Sequence, residues 1–195
     1  MAKTFIVIEG DDDQNFLTQL VSRHFENSEI VFIKVDTNGS SLSREAIENI
    51  RLETIGLAEK TLFILDADAP NYSKTKSNLI ESISAIGEID DENIFLFPND
   101  QDGCLEDLLN QLIPDNYQHF FSGCITHYAE CVNELEADLE VNKKDRLFIY
   151  TASLTRNNNF SSGSKRNYNS EFWNLDSEAL NPLLVFLRNH LQNEA

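Results

Sequence analysis

The sequence has few cysteines, no long apolar segment and no leader-like beginning. Its three cysteines, Cys104, Cys124 and Cys131, are an odd number and lack the spacing of a metal-binding motif. No apolar stretch approaches the roughly 18–20 residues that a membrane helix needs, and the first residues do not form a signal peptide pattern. These absences predict a cytoplasmic protein with reduced thiols and no membrane contact.

Positive charge is also scarce. The 195 residues include 15 Lys and Arg against 33 Asp and Glu, which gives a formal net charge of −18. Such a chain does not hold nucleic acid by bulk electrostatic attraction. The exception is the stretch from Lys143 to Arg166, the basic segment 143–166, which has six basic residues and one acid. Any contact with DNA or RNA is therefore expected to use this segment.

Apolar residues, in contrast, are frequent enough for one sizeable core, at 41% of the chain with thirteen Phe. Four short apolar runs predict strands at residues 4–8, 30–35, 61–65 and 93–97. Helical patterns follow these strands. The first begins at Asp11, the second is capped by Ser43 and includes Ile55 and Leu57, and the third covers about 75–87. Strands that alternate with helices predict an α/β fold whose parallel four-stranded sheet is covered by helices on both faces.

Beyond residue 103 the pattern becomes helical. The predicted helices are 105–112, 115–140, 145–154 and 177–192, and a polar loop, which we expect to be mobile, occupies 156–170. One face of the helix at 115–140 is expected to pack in the core; it consists of Phe120, Cys124, Tyr128, Cys131 and Leu135. We predict a core at 1–112 and a helical extension at 113–195, packed together as a single compact unit.

Two aspartates, Asp66 and Asp68, directly follow the third predicted strand. Bare carboxylates are costly inside a buried strand, so they should lie at its carboxyl end, where the chain emerges. On an extended chain, residues two apart point to the same side. Two like charges placed in this way repel each other, and a divalent metal ion between them is the simplest solution.

Acidic residues also follow the first and fourth predicted strands. Glu9 ends the first strand, and Asp13 lies one helical turn later. After the fourth strand comes an acidic segment that contains Asp102, Glu106 and Asp107. Ligands of parallel sheets bind outside the carboxyl ends of the strands, so we expect these acids to meet there.

In this order and placement, the motifs resemble the Toprim fold, which occurs in topoisomerases, primases and repair proteins. The matching residues are Glu9-Gly10 with Asp13, then Asp66 and Asp68. Asp102-Gly103-Cys104-Leu105-Glu106 is similar to the Gly and helical acid of the overcoming-lysogenisation-defect nucleases, and Lys165 matches a later lysine of that branch. The segment 172–183 is similar to the tails of small stand-alone Toprim-like proteins. Asp11 stands where the family usually has a lysine.

The resemblance implies Mg²⁺ or Mn²⁺, as one or two ions, and metal-dependent cleavage of phosphodiester bonds in DNA or RNA. The metal ligands would be Glu9, Asp13, Asp66, Asp68 and Glu106, with Asp102 and Asp107 as second choices. Glu9, Asp66, Asp68 and Lys165 would be catalytic, Lys165 by stabilising charge on phosphate. Phage defence or DNA repair would be the context. Since no ATPase domain is attached, an ATPase would have to come from a partner protein, and topoisomerase or primase activity is not expected.

Three other functions remain open from the sequence. A regulatory or binding protein could keep the Toprim fold without catalysis. A receiver-like phospho-acceptor domain also carries acids after its first and third strands, but Phe97-Pro98 stands where a receiver ends its fourth strand with Ser or Thr. A phosphatase with an Asp-x-Asp nucleophile normally has that motif after the first strand, not the third.

Overall fold

A computed structural model describes residues 3–25, 29–37, 41–54, 60–68, 71–84, 90–135, 140–155 and 163–191. Four parallel strands, β1 (Thr4–Ile8), β2 (Ile30–Lys34), β3 (Lys60–Asp66) and β4 (Ile94–Phe97), form one sheet in the order β2-β1-β3-β4. The helices of this half are α1 (Asp11–His24), α2 (Arg44–Thr54) and α3 (Tyr72–Ser84). The predicted α/β fold with a parallel four-stranded sheet is confirmed.

The helices of the second half are α4 (Leu105–Gln111), α5 (Asp115–Gln118), α6 (Thr126–Leu135), α7 (Lys143–Thr155) and α8 (Asn181–Leu191). A π-helical stretch at His119–Ile125 joins α5 to α6, so that 115–135 is one continuous helical segment. Three predictions extend beyond the described residues: Ile55 and Leu57 on the second helix, 85–87 on the third, and 136–139 on the long helix. Within the described ranges, no helix is both long and apolar enough to span a bilayer.

The sheet divides the buried apolar residues into two clusters, because side chains alternate between the two faces of each strand. In β1, Ile6 and Ile8 belong to one cluster, whereas Phe5 and Val7 belong to the other. The first cluster continues through α1, α4, α7 and α8, and the second through α2 and α3. Residues before and after position 112 therefore share the first cluster, while the division into 1–112 and 113–195 stays a prediction.

Two expectations for the second half are wrong. From Cys124 onward, the face of the long helix that we expected in the core is turned to solvent: Tyr128 is 51% exposed, Leu135 is 78% exposed, and Cys124 and Cys131 are exposed too. Phe120, the first residue of that face, is half-buried and packs against the first cluster. The buried residues of this stretch are instead Ile125 and Ala129.

The second wrong expectation concerns the polar loop at 156–170. Residues 156–162 lie outside the described part, but the residues from Gly163 onward pack against α1. Asn15 and Gln19 both donate side-chain hydrogen bonds of 2.8 Å to the Arg166 carbonyl. Tyr168 is fully buried, its ring packing edge-on against Phe16 and Trp173. Trp173 is buried as well.

Candidate metal centre

The candidate site lies at the carboxyl ends of β1 and β3, the two central strands of the sheet. These strands are parallel neighbours, with Val7 opposite Phe63, so the residues that follow them emerge side by side. Glu9 follows β1, and its Oε1 accepts a hydrogen bond of 3.3 Å from the backbone N of Asp66, the last residue of β3. The two acids that the sequence placed at separate strand ends are thus in contact.

Helix starts bring two more carboxylates to these strand ends. Asp13 lies in the first turn of α1, and its Oδ2 accepts a hydrogen bond of 2.8 Å from the backbone N of Gly10. Glu106 lies in the first turn of α4 and is only 6% exposed. Carboxylates are favoured at helix starts because the free N–H groups and the helix dipole are positive there. The helix starts therefore help this site to hold negative charge.

The conformation of the loop before α4 requires a glycine at position 103. Gly103 has φ +141°, and a Cβ there would lie 2.5 Å from Asp107 Oδ2 and 2.9 Å from the Pro98 ring. Only glycine fits such a position without strain. Asp107 Oδ2 accepts a hydrogen bond of 3.0 Å from the Cys104 backbone N, which fixes the start of α4.

Burial and mutual repulsion make three of the acids resist ionisation. Desolvation is the largest cause in each case, and it raises the pKa of Glu9 to about 7, that of Asp13 to about 6 and that of Asp66 to about 8. The negative charges of Glu9 and Asp13 raise the pKa of Asp66 further. The environment of the cluster therefore disfavours the ionised carboxylates, and a bound cation would favour them.

Among the described residues, α7 supplies a lysine that pairs with this cluster. Lys144 Nζ lies 3.6 Å from Glu106 Oε1, and this carboxylate raises the pKa of Lys144. Its neighbour Lys143 pairs with Asp107 at 2.7 Å. Both lysines belong to the basic segment 143–166, for which the sequence predicts contact with nucleic acid but no ion pair with the acids. They precede the predicted helix at 145–154, and the local sequence does not indicate this contact.

Lys165, the lysine chosen from the resemblance, has a different position. It is exposed in the 3-10 turn Gly163–Lys165, and among the described residues it forms no ion pair. Arg166 is 4% exposed and donates to Thr151 and Tyr168 while its guanidinium lies over the Trp173 ring. Arg156 lies outside the described residues. The exposed basic surface beside the acids is consequently formed by Lys143 and Lys144.

The remaining predicted acids are less central. Asp68 is exposed, with a left-handed φ of 53°, and its charge raises the pKa of Glu9. Asp102 is also exposed, and its Oδ1 accepts a hydrogen bond from the backbone N of Tyr72 at the start of α3. Asp11, in the position where the resemblance has a lysine, pairs with Lys34 at the end of β2. Asp68 therefore borders the cluster, and Asp102 caps another helix.

The donor set fits a hard divalent cation in its chemistry. Glu9, Asp13 and Asp66 each have one oxygen held by a backbone amide, an outer-shell support that orients metal ligands. Burial and nearby carboxylates raise the pKa of Cys104, whose thiol donates to Asp107 Oδ2 at 3.3 Å. No three His, Cys, Asp or Glu groups of the described residues form a ready-made cage. Mg²⁺, however, is often held by one or two carboxylates and several waters.

A cleft adjoins the acids on the side of α7. Its volume is about 210 Å³, and Glu106 and Lys144 line it together with Asp12, Phe148 and Arg166. The cleft thus combines acidic, basic and aromatic side chains next to the carboxylate cluster.

Comparison with known proteins identifies one family. The family described as "Protein of unknown function (DUF3226)" matches the chain over residues 3–192. No curated protein and no solved structure matches the chain.

Proposed function

Since the chain belongs to the DUF3226 family, whose function is unknown, we propose its function from the carboxylate cluster: hydrolysis of phosphodiester bonds in DNA or RNA, dependent on Mg²⁺ or Mn²⁺. The observation that carries the proposal is the meeting of Glu9, Asp13, Asp66 and Glu106 at the ends of two central strands. Three of these acids have raised pKa values, as expected for a site built around a cation.

The resemblance to the Toprim fold supports the same reaction. The parallel sheet with the order β2-β1-β3-β4 is consistent with that fold. The acids that carry the resemblance lie at the strand ends where ligands of parallel sheets bind. Phage defence or DNA repair remains the proposed context, with any ATPase supplied by a separate protein.

The acids and the lysines of the site would have different roles. Glu9, Asp13, Asp66 and Glu106 would hold the metal, with Asp68 at the border. When bound, Mg²⁺ or Mn²⁺ supplies Lewis acidity to the phosphate and lowers the pKa of a coordinated water. Lys144, beside Glu106, would bind a phosphate oxygen and stabilise the charge that develops on it. Lys143 and Lys144 would attract the nucleic acid backbone to an otherwise repulsive chain. The catalytic role of Lys165 stays a prediction.

The test is a cleavage assay in Mn²⁺ on labelled single- and double-stranded DNA and RNA. Asp66→Asn and Glu9→Gln should each abolish cleavage, because each removes a negative charge while keeping the shape of the side chain. Asp102→Asn is the matched control, since Asp102 caps α3 and should be dispensable for cleavage. Cleavage that survives in both Asp66→Asn and Glu9→Gln would refute the assignment.

A second candidate is a regulatory protein that binds metal or nucleotide without cleaving nucleic acid. The cleft lined by Glu106, Lys144 and Phe148 favours it, because its charged and aromatic side chains suit a nucleotide. This candidate predicts saturable Mg²⁺ binding that is lost in Asp66→Asn, together with no cleavage of any nucleic acid in Mg²⁺ or Mn²⁺. A receiver-like domain would instead become labelled by acetyl phosphate.

A further inference from the structure

The solvent-facing side of α6 carries a second group of metal-binding side chains, far in sequence from the acids. Cys131 Sγ lies 3.7 Å from His127 Nε2, and the two residues are four apart on one helix. Zinc bonds of about 2.0–2.1 Å to nitrogen and about 2.3 Å to sulfur, at a tetrahedral angle, place these atoms about 3.5 Å apart. The pair therefore already has the spacing of two ligands of one Zn²⁺ ion.

Glu130 completes the arrangement around the histidine. Its Oε2 lies 3.6 Å from His127 Nδ1, the ring nitrogen that does not face the thiol. A metal-binding histidine usually directs its other nitrogen to a carboxylate, which fixes the ring and increases the basicity of the ligand. The thiol and the imidazole are thus placed as two zinc ligands, and the Glu130 carboxylate is placed as the outer-shell support of the imidazole.

One chain supplies only two ligands. Among the described side chains, no third His, Cys, Asp or Glu forms a metal-binding group with this pair, whereas zinc is nearly always four-coordinate in structural sites. We propose that His127 and Cys131 form half of a zinc site, and that a second copy of this chain completes it with the same two residues. Cys131 would release its thiol proton to solvent on binding, and His127 would bind as a neutral ring through Nε2.

The surface around the pair suits a second copy. Tyr128 and Leu135 lie on the same side of the helix, at three residues before and four after Cys131, and they are 51% and 78% exposed. A two-fold axis through the zinc would place the same patch on both sides of the contact and cover these apolar side chains. Glu130 and Glu134 would repel their copies without metal, so the dimer should depend on zinc.

The proposal is tested with the full chain, freed of metal and kept in a phosphine reductant to exclude disulfides. In EDTA the protein should sediment as a monomer. Half an equivalent of Zn²⁺ should convert it to a dimer, and Co²⁺ should give a thiolate-to-cobalt charge-transfer band. Cys131→Ser and His127→Ala should weaken zinc binding at least 100-fold and remain monomeric.

Cys124→Ser is the matched control, because Cys124 is an exposed thiol outside the pair, seven residues before Cys131. It should bind Zn²⁺ and dimerise like the wild type. Asp66→Asn, which weakens the carboxylate cluster's own affinity for divalent ions, should still dimerise with half an equivalent of Zn²⁺ and give the cobalt charge-transfer band. Zinc-dependent dimerisation that survives in Cys131→Ser would overturn the site, and one Zn²⁺ per chain on a monomer of Asp66→Asn would overturn the shared arrangement. His127, Glu130 and Cys131 are exposed, so loss of folding is not the expected result of these changes.

Discussion

The backbone N of Leu105 donates a hydrogen bond of 2.8 Å to Asp66 Oδ1, and this contact joins the end of β3 to the first residue of α4. The bond fixes the direction of a carboxylate whose own pKa is raised by burial and by neighbouring acids. It also brings Glu106, the next residue of α4, beside Asp66, since the charge of Glu106 contributes to that rise. One backbone amide therefore sets the geometry between two parts of the proposed metal centre.

We expect Mg²⁺ or Mn²⁺ to stabilise the wild-type protein against heat. The ion would neutralise the repulsion between Glu9, Asp13 and Asp66, and binding to the folded state alone stabilises by mass action. A concentration of about 100 times the dissociation constant gives a gain of about 2.7 kcal/mol. Differential scanning fluorimetry with increasing metal measures the shift. Asp66→Asn should show little of it, and a wild type that does not respond to millimolar metal would exclude the site.

The metal-free protein should lose stability as the pH rises from 5 to 8. Glu9, Asp13 and Asp66 have folded-state pKa values of about 7, about 6 and about 8, above their unfolded values near 4. The folded state therefore binds more protons in this range, so the free energy of unfolding falls with pH. Below about pH 4 both states are protonated and the stabilising contribution is complete.

The pH effect is isolated by comparing Asp66→Asn with the wild type in EDTA. The variant has no charge to bury at this position, and it should be more stable at pH 8 by about 1–2 kcal/mol, or roughly 2–8 °C for a chain of this length. The difference should vanish near pH 4. His190, whose pKa is lowered by burial, acts in the opposite direction but cancels in the comparison. A difference that is independent of pH would contradict the raised pKa of Asp66.

Lys144 should contribute more to cleavage than Lys165, whose catalytic role stays a prediction. Lys144 lies 3.6 Å from Glu106, whereas Lys165 is exposed and forms no ion pair among the described residues. Lys144→Ala should lower kcat/KM by about 100-fold, the order expected for the loss of one charge-stabilising group. Lys165→Ala should change it less than threefold. The reverse order of the two effects would restore the assignment made from the resemblance.

The strands and the meeting of the acids could be predicted from sequence because both depend on local signals. Apolar runs define β1 to β4, and parallel strands end at one edge of the sheet, so Glu9 and Asp66 had to emerge together. The role of Lys144 could not be predicted in this way. Its partner Glu106 is 38 residues away, and the path of the chain between them decides the contact.

The orientation of α6 was missed for a different reason. The helical periodicity of apolar residues identifies candidate core faces, but it does not decide which of two such faces packs against the core. Ile125 and Ala129 are buried against the core, whereas Tyr128 and Leu135 are exposed to solvent. The i, i+4 spacing of His127 and Cys131 is visible in the sequence, but two ligands are too few to predict a zinc site from one chain.

Gly163 should not tolerate a side chain, although the polar sequence around it is typical of an exposed loop. A Cβ at this position would lie 1.8 Å from Asp12 Oδ2 and 2.0 Å from Asp12 Cγ, which is far inside van der Waals contact. Its carbonyl accepts a hydrogen bond of 2.7 Å from Asn15, so the turn cannot easily move away from α1. Gly163→Ala is therefore expected to cost about 1–3 kcal/mol, as overpacking does in well-packed regions.

Urea denaturation measures this loss, and the double variant Asp12→Ala/Gly163→Ala reveals its cause. Removing the Asp12 carboxylate removes the clash, so the double variant should recover most of the stability lost in Gly163→Ala. Gly123→Ala is the control, since a Cβ there would approach only His119, at an ordinary distance of 3.6 Å; this change in a helix should be neutral or slightly stabilising. If the losses of unfolding free energy caused by Asp12→Ala and Gly163→Ala simply add, the two residues are not in contact. This result would contradict the packing of residues 163–168 on α1.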